Sequence, residues 1–322
     1  MDIYVKKAII HQFSPDDTDL YLADKFLNIT PKIEEYLRKK IERAYSDEAQ
    51  TGIFEEDNPF LEMVSDDLLE TSVAIANRWK EEFIVSENQK TNDLVFIQFS
   101  KEGVDHFAFL RIALRETLTH LGGDVDNPIK LTQNNLPGFG TGADEALVIN
   151  LQSRKYHLIE KRIKYNGTFL NYFSENLLQA QPKISPKKSI KALEKTAQRI
   201  AESFNADDFQ FQSKVKSAIF NHIEEENKLS PEKLADDLFD DNLTARLSFI
   251  DQVKEAIPVT FEEIDASRQL KKFENQKLSL SNGIELIVPN SVYEDAESVE
   301  FILNDNGTYS ILIKNIEDIQ SK

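Results

Sequence analysis

QAQPKISPKKSIKALEKTAQR, residues 179–199, decides how the chain divides and where its one change of charge sign begins to matter. Pro182 and Pro186 lie four residues apart, and no regular element runs unbroken through both. The stretch therefore predicts a boundary, with one domain over residues 1–181 and a second over residues 182–322. Ser185-Pro186 reads as an N-cap followed by proline at the first helical position, where the missing N–H costs nothing. Ile190, Leu193, Ala197, Ile200 and Phe204 then recur at steps of three and four and make one apolar face. Lys187, Lys191, Lys195 and Arg199 recur every four residues on the other side.

The first turn of this helix is unusual in its charge. Lys187 and Lys188 stand beside the positive end of the helix dipole, an unfavourable place for a cation unless an anion is also there. Other predicted helix starts, Thr30-Pro31 and Ser230-Pro231, lack such a pair, and the second puts Glu232 in its first turn as the dipole prefers.

Working outward, residues 154–199 hold eleven Lys and Arg against three acids, a net charge of +8 in a chain of −18, so the remainder carries −26. A local basic stretch on an acidic body marks a candidate anion-facing surface. The candidate nucleic-acid-binding residues are Arg154, Lys155, Lys161, Arg162, Lys164, Lys187, Lys188, Lys191, Lys195 and Arg199. A basic stripe is also what an ordinary solvated helix face looks like, and both readings stand at this point.

Apolar residues make up 40% of the chain, with 21 Phe among the aromatics, which is the composition of a folded globule. The absence of cysteine excludes disulfides, thiolate metal sites and thiol catalysis, and a reducing cytoplasm is the simplest compartment. Residues 1–13 contain only a three-residue apolar run and no cleavage site, so no signal peptide is expected, and no apolar run is long enough to cross a bilayer.

The periodicities predict an α+β fold. Residues 3–10 alternate as a first strand, with a hairpin partner at 19–23 beyond Pro15-Asp16-Asp17. Helices are expected after Thr30 and after Ser65, the second with Trp79 in the core. Residues 94–99 and 104–112 flank a short turn at 101–103, while Leu114, Leu118 and Leu121 fit helix and strand equally. Strands at 146–151 and 156–163 precede a helix over 168–178 that buries Phe169, Tyr172 and Phe173. Beyond the basic helix come helices at 211–226, 231–239 and 243–257. The chain closes in a small β-meander with strands at 278–280, 284–288, 299–303 and 309–313.

Chemical signatures are sparse. LPGFGTG, residues 136–142, has closely spaced glycines but precedes a strand, the wrong order for a phosphate-gripping loop, and is expected to be an ordinary loop. His11, His106, His120, His157 and His222 lack paired metal spacing. No H-E-x-x-H or G-x-S-x-G pattern occurs. Acid-and-lysine groupings such as Glu226-Asn227-Lys228 arise by chance among 56 acids and 38 bases. Helices at 211–257 followed by strands could mimic a winged helix-turn-helix, but residues 230–256 hold seven acids and three bases, the wrong sign for a groove-reading helix.

AIIHQF (residues 8–13), FLNYF (169–173), RQLKKF (268–273) and VEFILNDNGTYSILIKNI (299–316) resemble the bacterial nucleoid-associated protein family named for a mass near 37 kDa, and this chain has 36.9 kDa. The resemblance extends in order from end to end. It implies a cytoplasmic protein that accompanies the nucleoid, and it favours strand over residues 110–121. It supplies no contact residues and no cofactor. The expected function is non-enzymatic, with DNA met directly or through a protein partner. The alternatives are an acidic adaptor docking on a basic DNA-processing protein and, third, a metal-dependent nuclease.

Overall fold

The computed structural model describes residues 1–16, 18–87, 89–120, 129–204, 209–226, 229–257, 267–318 and 320. Asp17, Leu121, Asn227 and Lys228, named above from the sequence, lie outside the described residues. The chain is α+β and forms two compact units, Met1–Ser185 and Pro186–Lys322.

Unit 1 begins with β1 (Ile3–Ser14), β2 (Asp19–Tyr21), α1 (Pro31–Arg43), β3 (Gln50–Ile53), the single turn α2 (Pro59–Glu62) and α3 (Leu68–Phe83). There follow β4 (Asn92–Lys101), β5 (Val104–Ala113), β6 (Arg115–His120), β7 (Ile129–Asn135), β8 (Glu145–Asn150), β9 (Lys155–Ile159), β10 (Ile163–Tyr165), β11 (Thr168–Leu170) and a π-helical turn at Phe173–Leu177. Seven strands pair antiparallel in the order β2-β1-β4-β5-β8-β9-β3.

Both faces of this sheet are covered, which is why its central strands read as nearly continuous apolar runs. Leu94, Phe96, Phe107, Phe109, Leu147 and Ile149 point to one side, where Trp79 and Phe83 of α3 meet them. Val95, Ile97, Ala108, Leu110 and Val148 point to the other, beneath Leu37 and Ile41 of α1. A bulge in β1 between Val5 and Lys7 sets the parity. One extra residue keeps Ile3 and Val5 on the same side as Ala8, while Ile9 and Phe13 turn to α3.

Local sequence accounts for most of the boundaries. Thr30 caps α1 by accepting from the Ile33 N–H, and Asp67 caps α3 by accepting from Leu69 and Glu70. Of the residues open to either reading, Leu118 lies in strand β6, paired with β7 as a separate ribbon, and Leu114 is the single residue between β5 and β6. The helix expected over 168–178 is not formed: β11 pairs with β10, and only the π-helical turn follows. Asn166 (φ 49°) and Gly167 (φ 77°) form the two-residue turn between these strands, and an Asn-Gly pair with both φ positive commits the chain to a hairpin. Phe169 is consequently 58% exposed, while Tyr172 and Phe173 are buried as expected.

Unit 2 contains α4 (Pro186–Ser203), α5 (Phe209–Glu226), α6 (Pro231–Leu238), α7 (Leu243–Ala256) and α8 (Ser267–Phe273). It continues with β12 (Asn275–Ser279), β13 (Glu285–Pro289), α9 (Asn290–Tyr293), β14 (Val299–Leu303) and β15 (Tyr309–Ile313). The strands form two separate hairpins, β12-β13 and β14-β15, in place of one continuous meander. Gln276 ties the first to α5: its Nε2 donates to the Ser213 carbonyl at 3.2 Å and to Asn290 Oδ1 at 2.9 Å. Phe301 and Tyr309 hold the second by packing around Phe209.

Candidate nucleic-acid interface

α4 starts at Pro186, with Ser185 only 1% exposed. Ile190, Leu193, Ala197 and Ile200 are buried along one side. Phe204 departs from that face: it lies just past the helix end and is 39% exposed. The opposite side presents Lys187, Lys188, Lys191, Lys195 and Arg199, all exposed. Lys195 and Arg199 make no ion pair among the described residues.

This arrangement has an electrostatic cost. Lys187, Lys191, Lys195 and Arg199 are like-charged neighbours at i,i+4, each pair worth about 0.2–0.5 kcal/mol of repulsion. Lys187 and Lys188 add an unfavourable dipole interaction in the first turn. Glu194 is the acid within the helix nearest this stripe: burial raises its pKa, against the pull of Lys272, Lys216 and Lys191. A bound polyanion would remove these penalties together.

Five of the ten sequence-predicted residues are thus gathered on α4, and the other five belong to unit 1. Arg154, in a left-handed conformation (φ 58°), reaches within 3.8 Å of Glu56, and Lys155 is exposed at the start of β9. Lys161, Arg162 and Lys164 come together with Lys90 and Arg111 around a cleft of about 250 Å³ whose rim includes Phe169. Lys161 pairs with Asp144 at 2.6 Å and Lys164 with Glu87 at 3.0 Å, while Arg162 lies over the Phe169 ring.

Arg111 forms the buried floor of this cleft. Its Nε donates to Glu145 at 2.5 Å and its Nη1 to Asn92 at 2.9 Å. Glu145 also accepts from the Tyr172 hydroxyl and the Lys161 N–H, and Trp79 Nε1 donates to Tyr172 at 3.0 Å. Burial works against the Arg111 charge, but Glu145, Tyr172 and Asp144 together more than offset it and raise its pKa. Burial, then Glu145, drives the Tyr172 pKa well up. Arg111 and Lys90 were not among the residues expected from sequence. The available signal was a lone arginine inside FAFLRIAL, residues 107–114, where a strand interior is otherwise apolar.

The glycine-rich loop has the opposite polarity. Lys40, fully buried, donates from Nζ to the carbonyls of Gly138 at 2.8 Å and Thr141 at 2.5 Å, and Arg43 donates to the Gly140 carbonyl at 2.8 Å. A loop offering carbonyl oxygens to cations does not grip phosphate, as its sequence order implied. Among the described residues no group of three or more His, Asp or Glu is placed to hold a metal ion, and no helix is long and apolar enough to cross a membrane.

Fold and site define a two-unit α+β protein with an exposed basic helix face on an otherwise acidic chain. The chain matches the nucleoid-associated protein YejK family over residues 9–319 and belongs to that family. Membership gives it a nucleoid-associated role. No curated protein sequence matches it.

Proposed function

We propose that the protein is a non-enzymatic nucleoid component that meets duplex DNA through the exposed face of α4, with Lys187, Lys188, Lys191, Lys195 and Arg199 on backbone phosphates. The observation that carries this reading is the gathering of all five cations on one exposed face, with two of them at the helix end where an anion is favoured. Phosphate contacts fix position and carry no base information, so binding is sequence-tolerant.

A Lys187, Lys188, Lys191, Lys195→Gln variant keeps good helix formers and long stems, so the fold survives. Its affinity for duplex DNA falls alike for all sequences, and the plot of log affinity against log salt flattens by about 0.9 for each phosphate the variant no longer neutralises. Reversal of Lys233 and Lys254 is the control, because each already pairs with a carboxylate, Glu226 and Glu232 respectively. Unchanged affinity and salt slope in the quadruple variant would reduce the stripe to a solvated face. That outcome favours the second reading, an adaptor for a basic DNA-processing protein. This reading draws on the acidic cleft of about 520 Å³ in unit 2 lined by Glu225, Glu226, Asp236, Asp237 and Glu294.

A further inference from the structure

The cleft of unit 1 gathers a second group of cations, separate in sequence from those of α4. Its walls carry Lys90, Arg111, Lys161, Arg162 and Lys164 against the single lining acid Asp144. Pairing does not cancel this excess. Glu145 answers Arg111, Glu87 answers Lys164 and Asp144 answers Lys161, while Lys90 and Arg162 have no carboxylate partner among the described residues. At the floor, Arg111 is 7% exposed and held from behind by Glu145 and Asn92, and its Nη2 has no hydrogen-bond partner among the described residues. A guanidinium fixed in this way is pre-organised to donate to a phosphate oxygen.

The size of the cleft and its rim specify what carries that phosphate. About 250 Å³ lies below the range of about 300–1,000 Å³ in which pockets enclose a whole small ligand. Part of the ligand therefore stays outside, and the rim there is aromatic: Phe169, 58% exposed, with the Arg162 guanidinium 5.6 Å from its ring centre. The Asn166-Gly167 turn closes the β10-β11 hairpin, in which Phe169 of β11 pairs with Lys164, a cation of the same cleft. An exposed ring beside a guanidinium is a platform for a nucleobase.

We propose that this cleft binds a nucleotide, with the phosphate on Arg111, Lys161 and Lys90 and the base stacked on Phe169. The nucleotide comes either singly or as a unit of an unpaired strand, whose bases are open to stacking as those of a duplex are not. The site is independent of α4 and stands whether or not α4 meets duplex DNA.

Calorimetric titration of the full chain tests it with thymidine monophosphate, inorganic phosphate and a ten-residue oligothymidylate. Thymidine monophosphate should bind at least about fivefold tighter than inorganic phosphate, the contribution of one stacked base. Phe169→Ala, at an exposed position, should erase that preference and leave phosphate binding unchanged. A Lys90→Gln, Arg162→Gln variant should weaken all three probes. Oligothymidylate far tighter than the mononucleotide, and sensitive to Phe169→Ala, assigns the unpaired strand; equal affinities assign the free nucleotide. The α4 quadruple variant should bind the mononucleotide as the parent does. Equal binding of mononucleotide and phosphate, no effect of Phe169→Ala, or no binding of any probe would overturn the proposal.

Discussion

The two units carry equal net charge, −9 each, and use their charged residues in opposite ways. Unit 1 turns polar groups inward: Arg111 and Glu145 lie buried against Tyr172, Lys40 is closed in by loop carbonyls, and His11 is fully enclosed between Ser72 and the Ala23 N–H. Unit 2 turns its cations outward along α4. Net charge therefore says nothing about where electrostatics matter for stability. A buried charge is costly to disturb, and an exposed one is nearly neutral to the fold and available to a ligand.

The largest expected effect comes from breaking the inward arrangement. Glu145→Ala leaves Arg111 buried without its carboxylate and removes the acceptor of Tyr172, a loss of about 3–5 kcal/mol. Trp79, the single tryptophan of the chain, sits in unit 1 and reports that unit's denaturant midpoint by fluorescence. The α4 quadruple variant should leave the same midpoint in place. A Glu145→Ala loss below about 1 kcal/mol, the scale of an exposed pair, would remove the distinction between the units.

His11 sharpens the comparison through pH. Its Nδ1 accepts from the Ala23 N–H at 3.0 Å, so Nε2 carries the proton and donates to Ser72 at 2.9 Å. A second proton would displace the Ala23 bond inside the core, and burial lowers the pKa from 6.5 to about 4. With the folded value depressed, the unfolded chain binds the proton first as pH falls. The contribution of this residue is complete above about pH 6.5 and is lost progressively toward pH 4, at most about 3 kcal/mol. Trp79 midpoints between pH 7 and 5 should fall in the parent and fall less in His11→Gln. Equal slopes in the two proteins would mean that other groups govern the acid side.

Much of this division was legible in the sequence, and the failures are instructive. The apolar runs of β4, β5 and β8 announce strands, and Thr30 and Ser230 announce helix starts because capping is local chemistry, whereas α3, expected after Ser65, begins two residues later with Asp67 as its cap. Residues 168–178 misled because Phe169, Tyr172 and Phe173 fit helical spacing, while the decisive signal, Asn166-Gly167, lay just before them. β3 was missed because it is a four-residue strand with Gly52 in it, defined by its pairing with β9 and a single bridge from Thr51 to Lys183. The α4 stripe was readable from spacing within one helix. The unit 1 cleft was not, since Lys90, Arg111 and Lys161 are joined only by the antiparallel order of the sheet.

The smallest expected effect lies in unit 2, at the turn between β14 and β15. Gly307 adopts φ 76°, donates to the Asn304 carbonyl at 2.9 Å, and has nothing within 4 Å of where a Cβ would stand. Gly307→Ala therefore meets no steric clash, and its cost is that of holding an L-residue in the left-handed region, about 1 kcal/mol. Strain of that size at an exposed hairpin is released by local opening before the rest of the unit responds. Amide exchange across β14 and β15 should accelerate about fivefold, by the conversion of about 1 kcal/mol into an equilibrium constant, if opening limits exchange. The Trp79 midpoint should not move. A matching shift of that midpoint would show that the second hairpin unfolds together with unit 1, and the contrast between an inward-facing and an outward-facing unit would then fail as a description of stability.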